Sequence, residues 1–160
     1  MNKIKGLHSV FPCLFIINND LLKFNSSLHS RVQKHEMIDT TQRILVIEDD
    51  PDIGKMLEMI LKYQGYAVTL MEHPGPVDEI VSQNSPDLIV MDMLLSGVNG
   101  VELCSFLKKD KQSSHVPIVM ISAHPNAMEL CMNAGADDFV AKPFEVDILL
   151  NKIKTLVPKR

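Results

Sequence analysis

Three short stretches of this chain are almost wholly apolar, and they restrict its fold more than any other feature. They are RILVI (43–47), DLIVM (87–91) and PIVMI (117–121). A strand with one wet face alternates apolar and polar residues. A strand apolar on both sides has to be covered on both, as in a parallel sheet flanked by helices. The intervening sequence supplies those helices. PDIGKMLEMILKYQ places Ile53, Met56, Leu57, Ile60 and Leu61 at helical spacing, and Gly65 stops it. PVDEIVSQ gives a short helix with Val77, Ile80 and Val81 inward. VELCSFLKK uses Val101, Cys104 and Leu107, and NAMELCMNAG uses Ala127, Leu130, Cys131 and Ala134. EVDILLNKIKTLV closes the pattern with Val146, Leu149, Leu150, Ile153 and Val157. Two further strands, YAVTLM and DDFVAK, complete five strand–helix units, and the mixed character of YAVTLM places it at an edge. Right-handed crossovers turn this alternation into a doubly wound, three-layer α/β sandwich.

Such sheets bind ligands beyond the carboxyl ends of their strands, so the residues there matter most. The first strand ends in Glu48-Asp49-Asp50, the third in Asp92, the fourth in Ser122 and the fifth in Lys142, followed by Pro143. Asp50 before Pro51 reads as a helix N-cap with Pro at the first helical position, and is assigned no chemistry. Asp92 is different, because it closes an apolar run that resumes at Met93. A carboxylate in such a place needs a partner or a metal. Clustered carboxylates repel, by about 4 kcal/mol for unit charges ~4 Å apart at an effective dielectric of ~20. A hard divalent cation relieves this, and an oxygen-rich set favours Mg²⁺. Mg²⁺ and Lys142 then balance Glu48, Asp49 and Asp92, and the neutralised pocket can admit a phosphoryl group. A carboxylate there can act as nucleophile and form an acyl phosphate, which the Ser122 hydroxyl could hydrogen-bond.

ILVIEDDPDI, DLIVMDMLLSGVNG, VPIVMISA and DDFVAKPF together resemble the receiver domain of two-component response regulators, over about Arg43 to Val157. The resemblance implies a flavodoxin-like five-stranded parallel sheet in the order 2-1-3-4-5. It implies Asp92 as phosphoacceptor, a Mg²⁺ site formed by Glu48, Asp49, Asp92 and the backbone carbonyl of Leu94, and Lys142 as the phosphate-binding lysine. Ser122 is the implied hydroxyl switch, Phe139 the switch aromatic, and Lys142–Pro143 a cis peptide. It further implies a histidine kinase or phosphotransfer protein as donor, a downstream protein target, and a switched face made by the last two helices and the fifth strand. In this reading the chain is a signalling phosphoacceptor rather than an enzyme acting on other substrates. Two residues depart from the usual pattern. Ser96 stands where many members have Pro, which is expected to loosen the loop without removing a chemical group, and Ser122 replaces the commoner Thr.

The full chain has 160 residues, 46% hydrophobic and 22% charged, ordinary for one soluble domain. Its receiver-like part is expected at 43–158, as a stand-alone receiver or a fragment of a longer protein, with 1–42 a poorly ordered extension or a start-site artefact ahead of Met37. VFPCLFII in that extension is too short for a membrane span, and no small-residue cleavage pattern follows it. Residues 1–42 carry five Lys/Arg against three Asp/Glu, and residues 43–160 carry 11 against 17. The net charge of −4 is read as leaving no direct nucleic-acid partner, and no membrane partner is expected. A homodimer is compatible with this reading. Cys13, Cys104 and Cys131 form no CxxC pair and fit reduced thiols in a cytoplasmic protein.

Three rival readings remain at this level. A Mg²⁺-dependent phosphatase or phosphotransferase with an Asp nucleophile of the haloacid-dehalogenase type needs a second Asp at position 94, which is Leu. A nucleotide- or flavin-binding protein lacks its glycine-rich loop, since EDDPD follows the first strand. A degenerate receiver used only for binding would not need the complete acid, hydroxyl and lysine set.

Overall fold

The computed structural model describes residues 41–158. Apart from Thr41 and Gln42, the expectation for the N-terminal extension falls outside them. Five strands form one parallel sheet: β1 (Arg43–Ile47), β2 (Ala67–Met71), β3 (Leu88–Asp92), β6 (Ile118–Ser122) and β7 (Asp138–Ala141). Two-residue strands β4 (Leu94–Leu95) and β5 (Val98–Asn99) make a separate antiparallel hairpin after β3. The main sheet runs β2-β1-β3-β6-β7, which is 2-1-3-4-5 when only its own strands are counted. Helices α1 (Pro51–Tyr63), α2 (Val77–Asn84), α3 (Gly100–Lys109), α4 (Ala127–Asn133) and α5 (Val146–Leu156) connect and follow the strands.

The period of two along a strand divides the core in two. Leu45, Ile47, Ile89, Met91, Ile118 and Met120 pack with Ile80, Leu103, Cys104, Leu107 and Cys131, from α2, α3 and α4. Their neighbours Ile44, Val46, Leu88, Val90, Val119 and Ile121 pack with Leu57 and Leu61 of α1 and Leu149 and Ile153 of α5. Both faces are therefore covered, which is why the three inner strands carry apolar residues continuously. The edge strand β2 is only part-buried, as its mixed sequence implied.

Local chemistry sets the helix ends. Asp50 caps α1, accepting from the backbone N–H groups of Asp52 at 2.9 Å and Ile53 at 3.0 Å, with Pro51 opening the first turn. Asn99 caps α3 in the same way, on Val101 at 3.0 Å. Gln42 links the two ends of the described fold: its side-chain Nε2 donates to the Pro158 carbonyl at 2.7 Å.

Among the inward-expected residues whose side chains are described, which leaves out Val77, three face outward. Met56 is 37% exposed, Leu130 40% and Val146 37%. In α1 the cause is Gly54, which is buried directly under β2: a Cβ there would lie 2.9 Å from Leu70 Cδ1. The buried face is thus Gly54, Leu57 and Leu61, and a residue without a side chain gives no hydropathy signal. In the short α4, Ala127 and Cys131 hold the core side and Leu130 is turned off it. Leu149 and Ile153 do the same in α5, leaving Val146 at the helix start outside.

Candidate functional site

The carboxyl ends of β1, β3, β6 and β7 bring the sequence-marked residues to one rim. Glu48 follows β1 and is only 2% exposed, and Asp92 closes β3 at 8%. Lys142 follows β7, and its ammonium joins them, donating to Glu48 Oε2 and to Asp92 Oδ2, each at 2.8 Å. Asp92 Oδ1 accepts the Leu94 backbone N–H at 3.2 Å. The Lys142–Pro143 peptide is cis.

The charges are not equivalent. Burial pushes the Glu48 carboxyl above the usual carboxylate range, opposed by its hydrogen bond from Lys142. Asp49 is held below its usual range, chiefly by a hydrogen bond from the Ser96 hydroxyl. Burial works against the charge on Lys142, but its bonds to Asp92 and Glu48 outweigh this and keep the ammonium protonated more strongly than usual.

Two observations test whether a metal fits. One ligand atom each from Glu48, Asp49 and Asp92 lie within 4.8 Å of one another. Glu48 Oε1 is buried without a hydrogen-bond partner, although the other oxygen of the same carboxylate bonds Lys142. A buried oxygen left unsatisfied is costly, and a hard cation bound to it would satisfy it. The donors are all oxygen, as Mg²⁺ prefers. The residues present therefore fit the ion.

Ser122 is buried at the end of β6, where its Oγ accepts the His124 backbone N–H at 3.1 Å. Phe139 sits in β7, in register with Met120, half-buried against the core face that includes Cys131. Both lie on the rim or the strand leading to it, as expected, but neither bonds the acids. Beside Lys142 a groove of about 370 Å³ is lined by Ile53, Met56, Ala123, Pro143, Phe144 and Val146.

Sequence reasoning missed Ser96. It was expected to loosen the loop, and instead it ties it down. Its hydroxyl and its backbone N–H both donate to Asp49 Oδ2, at 2.5 and 2.9 Å. The sequence shows only a hydroxyl four residues after Asp92; that it meets the acidic loop is visible in the fold alone. Gly100 was missed as well. A Cβ at that position would lie 2.6 Å from the carbonyl oxygens of Asp92 and Met93, so only glycine lets α3 begin against the end of β3.

A doubly wound sheet carrying an acid pair, a strand-end aspartate, a hydroxyl and a lysine on one rim defines a receiver-type protein. The response regulator receiver domain model matches residues 44–154, and the chain belongs to that family. It is 36% identical over 121 residues to the transcriptional regulatory protein BaeR of Escherichia coli O6:H1, covering 74% of this chain and 49% of the relative. It is also 36% identical over 115 residues to the DNA-binding response regulator MtrA of Mycolicibacterium smegmatis, covering 71% and 49%. Among solved structures it resembles the receiver domain of the sensor histidine kinase PA1611 of Pseudomonas aeruginosa PAO1, with a TM-score of 0.66 and 28% identity over 73% of this chain and 98% of that one. That structure has a magnesium ion coordinated in its active-site cleft.

These relatives correct one expectation. The expectation of no direct nucleic-acid partner, drawn from the acidic net charge, is overturned by a relative, MtrA, that is by name a DNA-binding regulator. The chain spans about half the length of the curated relatives it matches. The net charge of this chain is thus no argument against a nucleic-acid partner. No helix among the described residues is long and apolar enough to cross a membrane.

Proposed function

We propose that Asp92 is the phosphoacceptor of a two-component phosphorelay, with a histidine kinase or phosphotransfer protein as donor. The observation that carries this reading is the Lys142 ammonium, 2.8 Å from both Asp92 and the buried Glu48. An Asp92 oxygen attacks phosphorus in line with the donor bond. The phosphorus–nitrogen bond of a phosphohistidine breaks, its electron pair stays on the imidazole, and an acyl phosphate remains on Asp92. Lys142 offsets charge on the transferred group and orients it. Glu48, Asp49, Asp92 and the Leu94 carbonyl would hold Mg²⁺, which supplies further charge neutralisation when bound. The groove by Ile53 and Phe144 gives a protein donor an apolar footing next to the rim.

After transfer, Ser122 turns its hydroxyl to the phosphoryl group and Phe139 repacks behind it, altering the face made by α4, β7 and α5. The chain promotes only its own phosphorylation and dephosphorylation. A cytoplasmic setting goes with this role, and the relatives' names favour control of DNA binding as the output. Residues 43–158 carry the whole activity in this reading. The test is acetyl phosphate with Mg²⁺, read by intact mass. One phosphoryl adduct is expected, lost with chelator and in Asp92→Asn. An adduct indifferent to chelator contradicts the metal's part, and one persisting in Asp92→Asn contradicts the acceptor.

A further inference from the structure

We infer that Ser96 is a positioning residue for the cation: it clasps Asp49 and so sets the affinity of the acidic rim for Mg²⁺. The inference rests on the metal site proposed above.

Ser96 lies at the turn of the β4–β5 hairpin, and Asp49 lies in the loop between β1 and α1. The two residues are 47 positions apart in sequence, and their contact joins the two loops that flank the rim. Both donors of Ser96 converge on one oxygen, the hydroxyl at 2.5 Å and the backbone N–H at 2.9 Å, both to Asp49 Oδ2. Two donors on one oxygen fix the rotation of the carboxylate about its Cβ–Cγ bond. The other oxygen is then left to a ligand without further ordering.

Asp49 needs this more than its neighbours do. Glu48 and Asp92 are buried and share the Lys142 ammonium. Asp49 is only part-buried, and no other side chain among the described residues is seen to hold its carboxylate by a hydrogen bond. A proline at position 96 could supply neither donor, because it has no hydroxyl and no backbone N–H. Groups that orient metal ligands typically change metal affinity by about 10–100-fold when lost. Serine here therefore serves a purpose that a stiffer turn residue would forfeit.

The experiment titrates Mg²⁺ into the full chain by calorimetry, with urea unfolding of each variant beside it. Ser96→Ala keeps the N–H and is expected to bind about tenfold more weakly. Ser96→Pro loses both donors and is expected to bind more weakly still, and Ser96→Thr keeps both and should stay near wild type. Unfolding midpoints that stay level across the set separate ligand positioning from stability; if Ser96→Pro unfolds early, Ala against Thr decides. Unchanged or tighter Mg²⁺ binding in Ser96→Ala, with wild type binding normally, overturns the clasp alone. Failure of the wild type to bind Mg²⁺ overturns the metal site itself, and the clasp with it.

Discussion

Glu48 pits its own stability against a site. Burial raises its pKa, so the fold favours the neutral acid over the carboxylate. A group raised in this way contributes stability that is fully present below its unfolded pKa and lost as pH rises through the folded one. Asp49 has the opposite sign, since its lowered pKa contributes stability above the unfolded value and loses it in acid. Glu48→Gln should therefore unfold at higher temperature than wild type at neutral pH, while losing Mg²⁺ affinity. Thermal unfolding from pH 4 to 8 checks this, and a variant less stable than wild type at pH 7 would show that the ion pair with Lys142 outweighs burial. The thiols give a second prediction at this scale. Cys104 is buried and pushed up to about 12, and Cys131 to about 11, both chiefly by burial. Both are neutral at pH 8 and should resist a disulfide reagent until the chain unfolds; peptide mapping after labelling locates any that react. Among the candidate site residues, the gathering of the strand-end acids, Ser122 and Lys142 on one rim was legible in sequence, because a polar residue after an apolar strand is visible in one dimension. Ser96 was not, because its partner is brought to it only when two distant loops meet.

At the scale of elements, what sequence showed depended on length and side-chain content. The three inner strands were legible because each is continuously apolar and long enough to stand out. The β4–β5 hairpin has two residues per strand and no period to detect. The face of α1 was misjudged at Met56 because Gly54 occupies the contact with Leu70 without any apolar signature. The junction of β3 and α3 depends on another glycine. Gly100→Ala places a methyl group 2.6 Å from two carbonyl oxygens, those of Asp92 and Met93. These are backbone atoms and cannot swing aside as a side chain would. The end of β3 has to move, and Asp92 with it. We expect a loss of about 1–3 kcal/mol from overpacking, together with phosphorylation slowed well beyond what the stability loss accounts for. Urea unfolding and acetyl phosphate labelling measured side by side check both. Full stability with normal labelling would mean that α3 can retreat without disturbing the site.

At the scale of the whole molecule, both core faces found among the described residues, and every proposed site residue, lie between Arg43 and Val157. A chain beginning at Met37 should therefore match the full chain in melting temperature and in phosphorylation. A large drop in either on truncation would show that the receiver reading is drawn too narrowly. The order of the sheet was not derivable from periodicity, which gives elements but not neighbours; it came from the resemblance, and the pairing of β1 with both β2 and β3 bears it out. That pairing puts the ends of β1 and β3 side by side, so that Glu48 and Asp92 can share one lysine. We propose that this shared position is what makes Asp92 an acceptor. Borohydride reduction tests it most directly, because it converts an acyl phosphate on aspartate to homoserine. The chain is phosphorylated with acetyl phosphate and Mg²⁺, reduced, digested and mapped by mass. The account predicts homoserine at position 92 and at no other Asp, and none without the phosphodonor. Homoserine at Asp49 or elsewhere, or a phosphorylated chain that yields none at all, would contradict it.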